Sequence, residues 1–196
     1  KEAFEKIITN YKEKKNTKND LDLDAKDMFN IAIESKKVYQ CLTGEKFPED
    51  PYVQLIEAVK AVFKSWNNER AKIYRQINNI DNNLGTAVNV QEMVYGNLSE
   101  TSLTGVAFSR NPSDGTDVLY GEFLEKAQGE DIVAGVRTPR QIEELKEINE
   151  NVYEELRKYS KILENHYRDM QDMEFTVENG KLYMLQTRNA NSTPLA

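Results

Sequence analysis

Acidic, amide and cationic side chains recur at every second position near the C-terminal end of the sequence. Asp172 and Glu174 precede an Asn-Gly pair, and Gln186 and Arg188 follow it. Apolar runs on either side of Asn-Gly are typical of a hairpin, which is predicted here over residues 171–187. Because side chains alternate between the faces of a strand, the apolar odd positions should face a core. They are Met173, Phe175, Val177, Tyr183 and Leu185.

The turn decides whether the polar side chains share one face. A two-residue turn would place Gln186 opposite Met173 and mix the polar and apolar faces. A three-residue loop, with Gly180 left-handed in a bulge, would place Asp172 opposite Gln186 and all the apolar odd positions on one side. We expect the three-residue loop, because a slip of one residue would bury the charged side chains.

Such a cluster could bind a divalent cation and a phosphate. Carboxylate and amide oxygens are ligands that suit Mg²⁺, which is commonly shared with substrate phosphates. An arginine beside them can hold a phosphate oxygen and stabilise charge during phosphoryl transfer. The same residues also fit a solvated face with a salt bridge from Arg188 to Asp172 or Glu174. The two-residue register would favour a binding or docking module with no chemistry of its own.

The first part of the chain is predicted to be helical. Asp24 as N-cap and Gly44 after the last turn bound one helix, and Asp50 followed by Pro51 starts the next. A shorter helix is expected over residues 69–78. The apolar stripes of these helices should form the core of a helical subdomain. The clearest stripe comprises Leu55, Ile56, Val59, Val62, Phe63 and Trp66.

After about residue 82 the pattern changes to mixed elements. Strands are predicted over residues 87–95, 105–109 and 118–124, with turn residues between them. Thr138-Pro139 should open a helical stretch before the final hairpin. We therefore expect an α+β fold, with a helical subdomain over residues 1–81, an α+β subdomain over 82–190 and a tail over 191–196.

Composition excludes several classes of protein. The chain has 196 residues and a net charge of -7, which argues against a general nucleic-acid binder. The single cysteine cannot form an internal disulfide, and this favours a cytoplasmic protein. No apolar stretch is long enough to span a bilayer, so no membrane partner is expected. The first residue is not methionine and the last residues form a loose tail, so we expect a segment of a longer protein.

Several blocks of sequence resemble the pyruvate, phosphate dikinase family, in the order in which that family has them. They are VQEMVYGN at residues 90–97, TGVAFSRNP at 104–112, AQGEDIVAGVRTP at 127–139, RDMQDMEF at 168–175 and LQTR at 185–188. Phosphoenolpyruvate synthase and rifampicin phosphotransferase share a looser form of this pattern. The resemblance covers essentially the whole chain, including the helical residues 58–66.

The resemblance implies the C-terminal half of an ATP-grasp nucleotide-binding domain, preceded by a small helical subdomain. Arg188 would bind the transferred phosphates and Asp172 would support it. Glu174 and Gln186 would contact Mg²⁺ or nucleotide, with Asp172 a further metal candidate and Glu122 a weaker one. The resemblance also implies that one segment of the chain lies along the adenine and that backbone or hydroxyl donors lie near the phosphate. These are Gln91, Glu92, Met93 and Val94 for the adenine, and Thr104 and Gly105 for the phosphate.

The family transfers phosphate from ATP to a histidine on another domain and on to pyruvate, giving phosphoenolpyruvate, AMP and diphosphate. The expected partners are ATP and the phosphohistidine and pyruvate-binding domains of the same full-length chain, which would be a homodimer. The family's N-terminal ATP clamp has no counterpart here, so we expect the isolated chain to be inactive. Leu103 stands where the family often has glycine. His166 lies near a helix end without the glycine-rich surroundings of a carrier histidine, so we expect a packing or helix-end role.

Overall fold

The computed structural model describes residues 2–135, 137–191 and 193, and the chain falls into two compact units that divide between Val90 and Gln91. The boundary predicted near residue 82 lies between the last helix of the first unit and this division. The first unit has 15 Lys and Arg against 14 Asp and Glu, whereas the second has 11 against 19. The second unit therefore holds the whole negative surplus of the chain.

The described residues of the first unit form four α-helices, and side-chain caps explain where three of them begin. The four helices are α1 (Glu2–Lys14), α2 (Ala25–Thr43), α3 (Pro51–Ser65) and α4 (Glu69–Ile77), with a short 3-10 helix at Asp20–Asp22. Asp24 accepts hydrogen bonds from two backbone N–H groups of α2, and Gly44 ends that helix with a φ of 78°. Asp50 caps α3, with Pro51 at its first position. These predicted caps are confirmed.

The apolar stripe of α3 does not form a core, which corrects the prediction made from its spacing. No residue of α3 is buried, and Ile56 and Phe63 are each about half exposed. In this unit α1 packs along α2, where Ile7 and Ile31 are buried. The stripe therefore has the right helical period but no helix of the described unit lies along it.

The second unit is built on one antiparallel sheet of five strands. The strands are β1 (Leu103–Phe108), β2 (Tyr120–Glu125), β3 (Arg140–Gln141), β4 (Gln171–Glu178) and β5 (Lys181–Asn189), in the spatial order β3-β2-β1-β4-β5. Its helices are α5 (Gly129–Ala134), α6 (Leu145–Ile148) and α7 (Glu150–Tyr167). The predicted α+β class is confirmed.

One face of the sheet is buried, and the other is open within this unit at the end of the hairpin that carries Asp172 and Glu174. Phe123, Met173 and Phe175 are fully buried, and Leu156 of α7 belongs to the same core. Each buried strand residue is followed by one that points to the other face. The polar side chains of the hairpin therefore project away from α7.

Two predictions about elements in this region are wrong. Residues 87–95 form no strand, because this alternating segment finds no neighbouring strand with which to pair its backbone. The residues after Thr138-Pro139 begin as β3 and a 3-10 turn (Ile142–Glu144) before α6, so the helical stretch does not start there. Arg140 pairs with β2, and this pairing holds the segment extended.

Among the described residues, no helix is long and apolar enough to cross a membrane.

Candidate functional site

The hairpin between β4 and β5 turns through two residues, which corrects the expected three-residue loop. Glu178 faces Lys181 across the turn. Asn179 and Gly180 both have positive φ, 50° and 80°. Two successive left-handed residues are the geometry of a type I′ turn, which matches the twist of the strands and which Asn-Gly favours.

A bulge at Leu185 then changes the register, and this changes the consequence drawn from the turn. Phe175 pairs with Met184, but the next pair along is Glu174 with Gln186, which leaves Leu185 as an extra residue. Asp172 consequently faces Arg188, not Gln186 as predicted. The four polar residues still share one face, because the bulge changes the pairing by one residue, as the longer loop was expected to do.

The buried residues of β5 also differ from the prediction. Tyr183 and Leu185 were expected in the core, but both lie on the open face and are only half-buried. Leu182 is the buried residue of this strand, and Met184 packs against the core beside it. The two-residue turn reverses the faces near the turn, and the bulge restores them beyond Leu185.

Arg188 and Asp172 form an ion pair on the open face. The Arg188 Nε donates to Asp172 Oδ2 at 2.9 Å. The Arg188 side chain is 63% exposed, whereas that of Asp172 is 16% exposed. The hydrogen bond to Asp172, with the negative charges of Asp172 and Glu174, raises the pKa of Arg188. Asp172 thus orients an arginine whose guanidinium remains open to an anion, and the pair equally fits the solvated face considered above.

Glu174 and Gln186 face each other on adjacent strands, one step along from the ion pair. A carboxylate and an amide oxygen are hard donors, and Mg²⁺ is often bound by one or two carboxylates and completed by phosphate and water oxygens. Within the described part of the chain, no group of three or more His, Cys, Asp or Glu could hold a metal. This donor set fits a magnesium ion shared with a phosphate ligand and does not fit a closed protein site.

Glu122 lies in the same row of the sheet as Glu174. On the open face, Val106 of β1 pairs with Glu122 on one side and with Glu174 on the other. The two carboxylates are therefore separated by two interstrand steps, about 10 Å between their backbones. Sequence alone could not show this, because the three strands are far apart along the chain.

Thr104 and Gly105 lie in β1, where they pair with Thr176 and Phe175, the residues that follow Glu174 along β4. The Thr104 side chain is buried, and its hydroxyl donates to the carbonyl oxygen of Phe175 at 3.2 Å. Gly105 is on the core face, where an added Cβ would overlap the Phe175 ring and lie 2.9 Å from the Glu122 carbonyl oxygen. Its small size is explained by packing.

A groove of about 320 Å³ lies beside the cluster, within the second unit. Its walls include all four residues predicted along the adenine, together with residues that sequence reasoning did not select. They are Gln91, Glu92, Met93, Val94, Gly96, Gln128, Gly129, Thr176 and Leu185. Thr176 and Leu185 flank Glu174 and Gln186 along their strands, so the groove and the polar cluster are continuous. The alternation of side chains in the hairpin predicts that Thr176 lies on this face. Nothing in the sequence predicts the bulge that turns Leu185 to the same face.

His166 lies apart from this face. It is in the last turn of α7 and exposed, and its ring packs edge-on against Tyr167, with centroids 4.8 Å apart. This geometry fits the expected helix-end position, and its role remains a prediction.

An α+β unit with a carboxylate, an amide and an arginine beside a groove has the residue types of a nucleotide-binding domain. The family model described as "Pyruvate phosphate dikinase, AMP/ATP-binding domain" matches residues 52–150 and 140–195. The chain belongs to this family.

Individual relatives agree with the family match. The chain is 55% identical over 194 residues to pyruvate, phosphate dikinase of Clostridium symbiosum, covering 98% of this chain and 22% of that protein. It is 52% identical over 190 residues to pyruvate, phosphate dikinase 1, chloroplastic, of Zea mays, covering 97% and 20%. With the Rhizobium meliloti (strain 1021) protein of the same name, identity is 47% over 204 residues, covering 98% and 23%. The chain spans about a fifth of the length of these curated relatives.

Proposed function

We propose that this chain is part of the ATP- and magnesium-binding domain of a pyruvate, phosphate dikinase, with an ATP-grasp architecture. The observation that carries the proposal is the shared open face of the β4–β5 hairpin. It brings Asp172, Glu174, Gln186 and Arg188 together beside the groove lined by residues 91–94.

Each residue of this face has a definite role in the proposal. Glu174 and Gln186 would hold Mg²⁺, which would neutralise phosphate charge. Arg188 contacts the transferred phosphate, and Asp172 holds its guanidinium in place through the 2.9 Å hydrogen bond. Glu122 lies within the same row and adds negative charge. Catalysis would come from positioning and electrostatics.

The groove would take the adenine and ribose of the nucleotide. Its extended wall at residues 91–94 offers backbone N–H and C=O groups that no strand occupies, and Leu185 offers an apolar surface. Thr104 and Gly105 are not carried forward as phosphate contacts, because the hydroxyl of one is bonded inside the sheet and the other packs against Phe175.

The complete reaction would involve parts of a longer chain. In the proposal, phosphate passes from ATP to a histidine on another domain and then to pyruvate, which gives phosphoenolpyruvate, AMP and diphosphate. The rest of the ATP clamp, the carrier histidine and the pyruvate site belong to those other parts, and the full-length enzyme is a homodimer. A cytoplasmic location belongs to the same proposal.

Two other functions would use the same fold. A related phosphotransferase of the phosphoenolpyruvate synthase or rifampicin phosphotransferase type would share this face and differ in its acceptor. A docking module without chemistry is favoured by one observation, the exposed apolar stripe of α3. Nucleotide binding at the hairpin separates both enzymes from the module.

Calorimetric titration of the chain with Mg-ATP tests the proposal. We expect weak binding that is lost in Glu174→Ala and in Arg188→Ala, since each removes a charge-assisted contact worth about 1.5–3 kcal/mol. Matched controls are Glu154→Ala and Lys158→Ala, which change exposed residues of α7.

The controls should bind as the unchanged chain does. Binding that survives both hairpin substitutions would place the nucleotide elsewhere and contradict the proposal. If the folded chain shows no binding, the same substitutions in the full-length enzyme decide the matter: unchanged phosphoryl transfer there would reject the roles given to Glu174 and Arg188.

A further inference from the structure

Gln171, the first residue of β4, is a polar side chain with no exposed surface. Its Oε1 accepts a hydrogen bond from the Thr187 hydroxyl at 2.9 Å, and its Nε2 donates to Asn189 Oδ1 at 2.9 Å. Nε2 also donates to the carbonyl oxygen of Asp169 at 3.1 Å. A buried amide whose two ends are both bonded is costly to disturb, because any group left unpaired keeps its desolvation penalty.

These bonds connect directly to the polar cluster. Thr187 and Asn189 are the residues on either side of Arg188 along β5, and Asp172 follows Gln171 along β4. Two consecutive residues of β4 thus hold three consecutive residues of β5. Gln171 holds the outer two on the core face, and Asp172 holds Arg188 on the open face.

This end of β5 needs such a contact because the turn does not determine its register. The two-residue turn sets the pairing only as far as the bulge at Leu185. Without the bulge, the same turn would place Arg188 opposite Gln171, on the core face. β5 is also at the edge of the described sheet, so β4 is the strand that must select between the two registers.

We propose that Gln171 is a positioning residue whose buried amide selects the bulged register of β5 and thereby sets Arg188 beside Asp172 and Gln186 beside Glu174. Gln171 touches no substrate and acts through the residues of β5. The inference about register stands on the hairpin alone. Its consequence for nucleotide binding rests on the function proposed above.

The test replaces Gln171 by methionine, which has a similar volume and no amide, in the full chain. Nuclear Overhauser contacts between backbone protons across β4 and β5 report which residues face each other without any nucleotide. We expect Gln171→Met to lose the pairing of residue 172 with Arg188, and the pairing of residue 171 with Arg188 to appear. Thr187→Val removes one of the two hydrogen bonds between Gln171 and β5 and should show the same change to a smaller extent.

Deletion of Leu185 supplies the decisive control. It removes the extra residue, so the register set by the turn and the register of the cluster become the same. In that background Gln171→Met should leave Arg188 opposite Asp172. Ser160→Ala removes a hydrogen bond of a different buried side chain, the one from its hydroxyl to the carbonyl oxygen of Arg157 at 2.7 Å, and should leave the hairpin register unchanged.

Nucleotide binding is measured separately on the same variants. Removal of a group that orients a ligand-binding side chain lowers affinity or activity by about ten- to a hundredfold in comparable sites. We expect a loss of this size for Mg-ATP with Gln171→Met and none with Ser160→Ala. An altered register with an unchanged affinity for Mg-ATP would reject the binding roles proposed for Glu174 and Arg188 and retain the role of Gln171 in setting the register.

Two results would overturn the inference. One is a pairing of Asp172 with Arg188 that persists unchanged in both Gln171→Met and Thr187→Val. The other is an equal loss of that pairing in the chain with Leu185 deleted, because the effect would then be a general loss of sheet stability and not a choice of register.

Discussion

Gly105 occupies a point in β1 where the sheet leaves no room for a side chain. The Phe175 ring and the carbonyl oxygen of Glu122 occupy the space that a Cβ would need. The resemblance placed this glycine near phosphate, whereas the structure gives it a packing reason that is independent of any ligand. Stability measurements can separate these two explanations.

We expect Gly105→Ala to lower the free energy of unfolding by about 1–3 kcal/mol or more, as overpacking of a tight core does. Gly129→Ala is the matched control, because nothing lies within 4 Å of an added Cβ there and α5 begins at that residue. Urea denaturation of both variants makes the comparison. An unchanged midpoint for Gly105→Ala, with nucleotide binding reduced, would instead support a phosphate contact.

Single residues with a local partner were the part of the fold that sequence could predict. Asp24, Gly44 and Asp50 act on backbone groups within a few residues, so their roles follow from the chain around them. Glu122 and Glu174 share a row of the sheet only because β1 lies between their strands. Sequence suggested each carboxylate by itself but could not place the two in one row.

At the scale of elements, an ion pair ties the end of β1 to α7. Arg110 donates through Nε to Glu164 Oε1 at 2.8 Å and through a second nitrogen to the Gly115 carbonyl oxygen at 3.4 Å. Only 13% of the Glu164 side chain is exposed. Burial raises the pKa of Glu164, but hydrogen bonds that include the one from Arg110 outweigh it, and the net pKa is lowered.

Arg110→Met should lower the free energy of unfolding at about pH 7 by about 1–3 kcal/mol, because the nearly buried Glu164 loses its closest cation and keeps only the more distant Lys161, at 3.7 Å. A carboxyl group with a lowered pKa stabilises the fold above its unfolded pKa, and this contribution is lost as the pH falls through its folded pKa. The difference between the two chains should therefore shrink towards about pH 3. Urea denaturation at both pH values measures it. A difference that is the same at both would exclude this pair as its origin, and Lys158→Met, an exposed change on α7, should show none.

Elements that depend on a distant partner were the ones predicted wrongly. Residues 87–95 have the alternation of a strand, but a strand also needs a neighbour to accept its hydrogen bonds, and sequence does not supply one. The hairpin was predicted with the right residues and the wrong turn. Its face was recovered only because an unpredicted bulge at Leu185 compensates for the shorter loop.

At the scale of the whole chain, every residue of the proposed site belongs to the second unit. We expect residues 91–196, produced alone, to keep the antiparallel sheet and to bind Mg-ATP as the full chain does, because the core and the groove are complete within them. Circular dichroism and calorimetric titration provide the comparison, with residues 1–90 as the control that should be helical and should not bind. Loss of binding in a folded 91–196 chain would show that the first unit contributes to the site.

The uneven charge of the two units has a consequence for the speed at which a nucleotide arrives. The second unit carries eight more acidic than basic side chains, and a magnesium nucleotide is itself an anion. At long range two negatively charged molecules approach each other, and under the proposed function the contacts at Arg188 would outweigh this repulsion once the two are close. Added salt screens long-range repulsion over about 10 Å at 0.1 M and should therefore speed the encounter. The association rate of a basic nucleic-acid-binding surface falls as salt is added. The direction in which the association rate changes with ionic strength would therefore distinguish the two kinds of site.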